Sequence, residues 1–297
     1  MKYDVFCSLF QVRVDGHKPD EKTMFQNFFD QVRLADELGL ETCWVAETHL
    51  STQIQKQNKN PVTPHMDGEI GLNTDILQLS HKVFSQTKSS NMGSAIKNIL
   101  CNGGPIANAE AIRTFLTLHG MDADEKRRLN MGFASGRFEF SNRPYGVGPR
   151  NSWEEAAWPV VKGKWLYQAT EIFLRLLKGE NISSDDLRPL RLQQSEFRGD
   201  ELWQNTVKAY GKDVEEIPLE NFYNFEKIGV IPFEAPMHLL DLTIGTHDQK
   251  IQDMANEILP VGVFNLSITP PEFARCLPGV NASMCRCIYI ISQKVST

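Results

Sequence analysis

The clearest hydrophobic pattern of the chain is a helical stripe followed by a short strand. Apolar side chains recur at steps of three and four over residues 25–38, and Gly39 follows as a residue that can end a helix in the left-handed conformation. Residues 42–45 form an apolar, β-rich run, which predicts a buried strand. Polar Glu47 and His49 lie where that strand leaves the core. This order is typical of one unit of a parallel α/β barrel, where catalytic groups gather at the carboxyl ends of the strands.

The same alternation continues along the chain. Further strands are predicted at residues 3–10, 91–100, 129–134, 238–244 and 261–266, and further helices at residues 75–84, 107–118, 156–177 and through residues 254–258. Two polar stretches without a period interrupt it: residues 51–73, a long loop at the carboxyl face, and residues 181–221, an insertion over the barrel mouth. The pattern predicts an incomplete TIM (β/α)8-type barrel with about six βα units and a long insertion before the fifth strand.

The end of the chain departs from this pattern. Residues 1–273 read as one barrel domain, whereas residues 274–297 show neither a helical stripe nor the expected order of strands and turns; only residues 287–292 look strand-like. A natural short variant and a prematurely ended reading frame both explain the change. Six strands would leave two open sheet edges, which favours pairing or aggregation.

Composition narrows the function classes. The chain has 297 residues, 41% hydrophobic residues and a formal net charge of -6, with a mean hydropathy of -0.33, as expected for a soluble globular protein. An acidic chain without a basic stripe disfavours nucleic acid and anionic membranes as partners. No apolar run reaches the length of a membrane helix and the start does not resemble a signal sequence, so we expect a cytoplasmic protein.

The six cysteines predict neither disulfides nor a metal site. Cys7, Cys43 and Cys101 are single residues in apolar settings, where a small buried thiol is the expected state. Cys285 and Cys287 lack the second cysteine pair or histidines of a zinc site.

Small and polar residues at strand ends are the candidates for binding. Gly103 and Gly104 after the third strand allow a close approach of a ligand, or only make a tight turn. Residues 135–137, Ser-Gly-Arg, form a plausible anion cradle after the fourth strand. His65, Asp67 and Glu69 lie in the 51–73 loop, where a binding role and ordinary loop composition are both open.

Four segments follow one another in a characteristic order and spacing: WVAETH, GSAI, NGGPIANAE and GFASGR. In these segments the chain resembles the bacterial luciferase-like monooxygenase family, whose members are flavin-dependent enzymes on a (β/α)8 barrel. The resemblance covers about residues 2–273. Glu47, Thr48 and His49 correspond to the family's Glu-His-His after the second strand. The middle histidine, which acts in light-emitting members, is Thr48 here, and this departure argues against luciferase chemistry.

The resemblance also implies a cofactor and its partners. It implies FMN, reduced by a separate flavin reductase, with molecular oxygen and a small organic substrate, in a homodimer. His49 is then the candidate proton donor or hydrogen-bond partner, and Glu47 orients it or the flavin; the alternative is that this pair only ties the barrel mouth together. A deazaflavin-dependent oxidoreductase of the same fold and an inert flavin-binding fragment are the other candidates for function.

Cofactor-binding positions follow from the same resemblance. Ser94 and Ala95 line the flavin ring, and Arg137 supplies the charge that light-emitting members carry at the Ser135 position. The positions implied to contact the flavin or its phosphate at the later strand ends are Ala134, Ser135, Gly136, Gly245 and Thr246. Asp248 complicates the last two contacts, because it would cap the following helix and repel a phosphate.

Overall fold

Parallel strands form the main sheet of the protein. The computed structural model describes residues 3–11, 13 and 15–264, together with the backbone of residues 288–289. The strands are β1 (Asp4–Cys7), β2 (Thr42–Ala46), β3 (Asn91–Asn98), β4 (Leu129–Ala134), β5 (Leu190–Gln193), β6 (Glu216–Leu219), β7 (Leu240–Ile244), β8 (Gly262–Val263) and β9 (Ile288–Tyr289). The main sheet has the order β8-β7-β4-β3-β2-β1-β9, and β5 and β6 form a separate antiparallel pair.

Helices connect most of the described strands. They are α1 (Glu21–Glu37), α2 (Thr52–Gln55), α3 (Ile76–Phe84), α4 (Gly104–His119), α5 (Glu139–Asn142), α6 (Ser152–Ala156), α7 (Trp158–Lys178), α8 (Asp200–Tyr210) and α9 (Gln249–Ile258). The hydrophobic pattern predicts five of them, α1, α3, α4, α7 and α9, and does not predict the other four. Asp20 begins α1 by accepting a hydrogen bond from the Thr23 amide, and Asp75 begins α3 in the same way. Gly39 follows α1 with a φ of 74°, which confirms the predicted left-handed residue.

The main sheet curls around a packed interior. The rings of Trp44 on β2 and Phe264 after β8 are 5.4 Å apart, although β3, β4 and β7 lie between their strands. Outside the sheet, Phe133 on β4 packs against Phe173 of α7 with ring centroids 5.2 Å apart. The described residues therefore form a curled, parallel half-barrel, in agreement with the predicted α/β class.

Both polar stretches contain structure that the sequence pattern does not show. The 181–221 insertion includes β5, β6 and α8. In the two strands, Leu192 and Ile217 are buried, whereas Arg191, Gln193 and Pro218 beside them are exposed. Four-residue strands offer too few alternations to be recognised. The 51–73 stretch begins with α2, and Glu69 accepts hydrogen bonds from the Thr52 amide and hydroxyl, each at 2.8 Å. Glu69 thus caps a helix.

One sheet edge differs from the expectation. Six strands were expected to leave two edges open, but β9 pairs in parallel with β1, placing Ile288 beside Asp4 and Tyr289 beside Val5. The strand-like pattern at residues 287–292 is confirmed for these two residues. The rest of the 274–297 tail lies outside the described residues.

Candidate functional site

Parallel pairing brings the carboxyl ends of β2, β3, β4 and β7 to one edge of the sheet. The registers pair Ala46 with Ala95, Asn98 with Ala134, and Phe133 with Ile244. Seven of the ten predicted site residues lie in the segments that follow these strands, and the other three, Ser94, Ala95 and Ala134, lie within β3 and β4. This edge therefore corresponds to the catalytic face of a barrel.

A buried carboxylate forms the centre of the site. The Glu47 side chain is 0% exposed and has three hydrogen-bonding partners. His49 Nε2 lies 2.7 Å from Oε1, Lys97 Nζ donates to Oε1 at 3.1 Å, and the Ser94 hydroxyl donates to Oε2 at 3.0 Å. We call Glu47, His49, Ser94 and Lys97 the acid cluster.

The acid cluster keeps Glu47 ionised. Burial of the carboxyl opposes ionisation, but the hydrogen bond from His49 and the charge of Lys97 lower the pKa of Glu47 below its ordinary value. An ionised carboxylate only accepts hydrogen bonds, so His49 donates from Nε2. The Asn102 amide nitrogen lies 3.2 Å from Nδ1 and 3.3 Å from Nε2, and it can donate only to Nδ1, the nitrogen that carries no proton. Glu47 and Asn102 therefore both contact the imidazole.

An irregularity in β3 brings two of the donors to Glu47. Residues three apart in a regular strand point to opposite faces, yet Ser94 and Lys97 both reach Glu47. The register between β3 and β4 shifts between these two residues, which re-aims the later side chain. Gly132 on β4 accommodates this path, because a Cβ there would lie 2.2 Å from the Ser94 carbonyl oxygen.

Lys97 and Asn102 were not among the predicted site residues. A lysine inside the predicted buried strand β3 was the available signal, since a buried lysine requires a partner. Thr48 does not join the acid cluster: a Cβ on Gly71 would lie 2.5 Å from its hydroxyl, so Thr48 packs against the end of the 51–73 stretch.

A cavity of about 400 Å³ brings three predicted cofactor residues together. Ser135, Gly245 and Thr246 line it, and Lys162 from α7 lines the same space. Lys162 donates to the Gly136 carbonyl at 3.0 Å. We call this space the phosphate-side cavity. Lys162 lies more than 20 residues from the nearest predicted residue of the β4 turn, so local patterns did not indicate it.

Two acidic side chains also line the phosphate-side cavity. Glu139 accepts from Lys162 at 2.8 Å, and its Oε2 atom is buried without a hydrogen-bond partner among the described residues. Asp248 accepts from the Lys250 amide at 2.9 Å and caps α9, as its position predicted. Lys162 and the hydroxyls of Ser135 and Thr246 can donate to a phosphate, whereas Glu139 and Asp248 bring two negative charges, so the repulsion expected from Asp248 persists in this cavity.

The remaining predicted residues have other surroundings. Arg137 is exposed, with its guanidinium carbon 5.8 Å from the centre of the Phe138 ring, and it does not line the phosphate-side cavity. Gly136 has a φ of 69°, and a Cβ there would lie 2.3 Å from the Asn98 amide nitrogen. Asn98 on β3 donates a hydrogen bond to Asn142 of α5 at 2.7 Å. Gly136 has no side chain, which leaves room for this bond between β3 and α5.

Other sequence expectations concern thiols, metals and membranes. Cys7, Cys43 and Cys101 are buried and free, and burial raises the pKa of Cys7 and of Cys101 to about 11. The other three cysteines lie outside the described residues. Across residues 3–11, 13 and 15–264, no cluster of three histidine, cysteine or acidic side chains could hold a metal ion, and no helix is long and apolar enough to span a membrane.

Comparisons with known proteins find similarity in structure only. No protein-family description and no curated protein matches the sequence. The monooxygenase RslO1 from Streptomyces bottropensis matches with a TM-score of 0.54 at 15% identity, covering 92% of this chain and 62% of that chain. An F420-dependent secondary alcohol dehydrogenase matches with a TM-score of 0.46 at 14% identity, covering 93% of this chain and 64% of that chain. This chain spans less than two thirds of either structure. The similarity to RslO1 shows a shared fold.

Proposed function

We propose that this chain is a flavin-dependent oxidoreductase, specifically a monooxygenase that uses reduced FMN and molecular oxygen on a small organic substrate. The observation that carries the proposal is the position of the buried acid cluster at the same sheet edge as the phosphate-side cavity. In this proposal His49 is the proton-transfer group and the phosphate-side cavity is the anion site, both at the strand ends where barrel enzymes have their active sites. The fold shared with RslO1 supports the proposal.

The two ends of the site suit different parts of the cofactor. FMN, when bound, supplies the redox chemistry that activates oxygen. Ser94 and Ala95 on β3 would face the ring. Ser135, Thr246 and Lys162 would hold the ribityl phosphate chain through their hydroxyl and ammonium donors.

His49 is the group that can move a proton. Its Nε2 atom donates to the Glu47 carboxylate over 2.7 Å, so Glu47 would orient the imidazole for proton transfer. Asn102 and Glu47 hold the ring in one orientation. Burial of the cluster excludes water from these groups.

Binding is tested by anaerobic titration of the protein with reduced FMN, followed by absorbance. We expect saturable binding, and we expect Thr246→Glu to weaken it by at least roughly tenfold, because a carboxylate beside the phosphate replaces a hydroxyl donor. His247→Glu is the matched control, since His247 is exposed and does not line the phosphate-side cavity. Saturation by neither FMN nor a deazaflavin would refute the proposal.

Proton transfer is tested by the rate at which bound reduced flavin reoxidises in aerated buffer at several pH values. We expect His49→Ala to bind flavin normally and to lose the pH dependence. His65→Ala is the control, because His65 is an exposed histidine of the 51–73 stretch. An unchanged pH profile in His49→Ala would remove His49 from the mechanism.

The other candidate functions give different results in the same titration. A deazaflavin-dependent oxidoreductase would bind the deazaflavin in preference to FMN. An inert fragment would bind flavin without any oxygen-dependent reaction. We further propose that a separate reductase supplies the reduced FMN, which is tested by adding a flavin reductase to the reaction. We also propose that the chain forms a homodimer, which is tested by sedimentation velocity.

A further inference from the structure

The cation of the phosphate-side cavity already has partners within the chain. Among the described residues that line this cavity, Lys162 alone is positively charged. Its ammonium group donates to Glu139 Oε1 at 2.8 Å and to the Gly136 carbonyl at 3.0 Å. Because a lysine has three N–H donors, Lys162 retains a single donor for a ligand.

The two acids of the cavity differ in how closely they affect Lys162. Asp248 is exposed to solvent, which screens its charge, and its carboxylate caps α9. Glu139 bonds Lys162 directly, and its Oε2 atom is buried without a hydrogen-bond partner among the described residues. Glu139 therefore determines the negative charge that an incoming anion meets at Lys162.

The turn after β4 brings Glu139 to this position. Glu139 is the first residue of α5, and Asn142 at the other end of α5 accepts a hydrogen bond from Asn98 on β3 at 2.7 Å. This bond fixes α5 at the edge of the sheet where the strands end. Lys162 reaches the same point from α7, so the ion pair joins two segments that line one cavity.

A phosphate and the Glu139 carboxylate compete for the same ammonium group. A phosphate monoester carries about two negative charges near pH 7, and like charges that share one cation repel each other. Phosphate binding at Lys162 therefore requires the carboxylate to move away. The side chain of Glu139 is 39% exposed, so it has solvent to move into.

We propose that Glu139 is an internal competitor of the cofactor phosphate for Lys162, so that the chain binds FMN less tightly than its lysine alone would allow. This inference rests on the proposed flavin-dependent function. Glu139 would then be a residue that determines cofactor affinity through the phosphate and has no effect on the flavin ring. A weakened phosphate contact suits a cofactor that arrives from a separate reductase and must leave again.

The test compares the dissociation constants of FMN and riboflavin, which has no phosphate, by quenching of flavin fluorescence with the full chain. Glu139→Gln keeps the shape and a hydrogen-bond acceptor for Lys162 but removes the charge. We expect this variant to bind FMN at least roughly tenfold more tightly than the wild type, the scale of a charge-assisted hydrogen bond, and to bind riboflavin with unchanged affinity. In Glu139→Gln combined with Lys162→Met, the gain should disappear.

Glu155→Gln is the matched control, because Glu155 is an exposed glutamate of α6 that does not line the phosphate-side cavity. Unchanged FMN affinity in Glu139→Gln, an equal gain for riboflavin, or a gain that survives the loss of Lys162 would each overturn the inference. In all three cases flavin still binds, so the proposed function stands. If neither flavin binds to the wild type or to any variant, the proposed function itself fails and this inference fails with it.

Discussion

Replacing Lys97 with methionine tests whether the acid cluster is an electrostatic unit. The substitution keeps an unbranched side chain of similar length and removes only the ammonium group. Glu47 would then be a buried carboxylate with hydrogen bonds from His49 and Ser94 but without its cation. Removing one partner of a buried ion pair costs about 3–5 kcal/mol. Because two hydrogen bonds remain, we expect a loss in the free energy of unfolding near the lower end, about 3 kcal/mol at pH 8.

The pH dependence of this loss has a definite sign. In the wild type the folded pKa of Glu47 is below the value of about 4.3 expected in the unfolded chain. The carboxylate therefore contributes stability above pH of about 4.3, and this contribution is lost as the pH falls through the folded pKa. Without Lys97 the folded pKa rises, so Glu47 can take up a proton. The difference between wild type and variant should shrink between pH 8 and pH of about 4.

Urea unfolding of four proteins measures the coupling. They are the wild type, Lys97→Met, Glu47→Gln and the double variant, with the exposed Lys82→Met as the control. We expect the double variant to be more stable than the sum of the single losses predicts, because it leaves no unpaired charge. Additivity within about 0.5 kcal/mol, or a loss that is the same at pH 8 and at pH of about 4, would refute the reasoning.

Three further predictions concern the fold around the site. Asp36 accepts hydrogen bonds from three consecutive amides at residues 88–90. Although burial opposes ionisation of Asp36, these bonds lower its pKa to about 2. In urea titrations, Asp36→Asn should therefore be less stable than the wild type at pH 7, and its stability should change less between pH of about 4 and 2. Gly132→Ala should lower the free energy of unfolding by about 1–3 kcal/mol, because the new Cβ would lie 2.2 Å from the Ser94 carbonyl oxygen. A variant as stable as the wild type would contradict the close approach of β3 and β4. Cys7 and Cys43 are buried and their pKa values are raised. A thiol reagent should therefore label them only as fast as the protein unfolds. Rapid labelling in native buffer would contradict this and show that β1 and β2 open locally.

Several features of the fold and site could be predicted because they are local. The stripe of α1, the left-handed Gly39 and the apolar run of β2 each depend on a few neighbouring residues, and the structure places all three as expected. Glu47 and His49 could be chosen because they follow a strand end. Ser135, Gly245 and Thr246 were chosen from separate strand ends by resemblance, and the structure brings these three to one cavity.

What remained hidden depends on contacts between distant segments. Lys97 reaches Glu47 across 50 residues because β2 and β3 pair in one register and β3 then shifts its own. Lys162 meets Ser135 only because α7 packs beside the end of β4. The β5–β6 pair was missed because its strands are too short to carry a readable period.

The amino-acid pattern alone was therefore enough for the barrel strands, the helices α1, α3, α4, α7 and α9, the α/β class and the acid–imidazole pair, because hydrophobic spacing and helix-ending residues act within a few positions. The partners that complete the site were decided by tertiary structure. Strand register and helix packing determine which side chains share a buried space, and a one-residue change in register turns a side chain to the other face. The ionised state of Glu47 and the phosphate-side cavity follow from that packing.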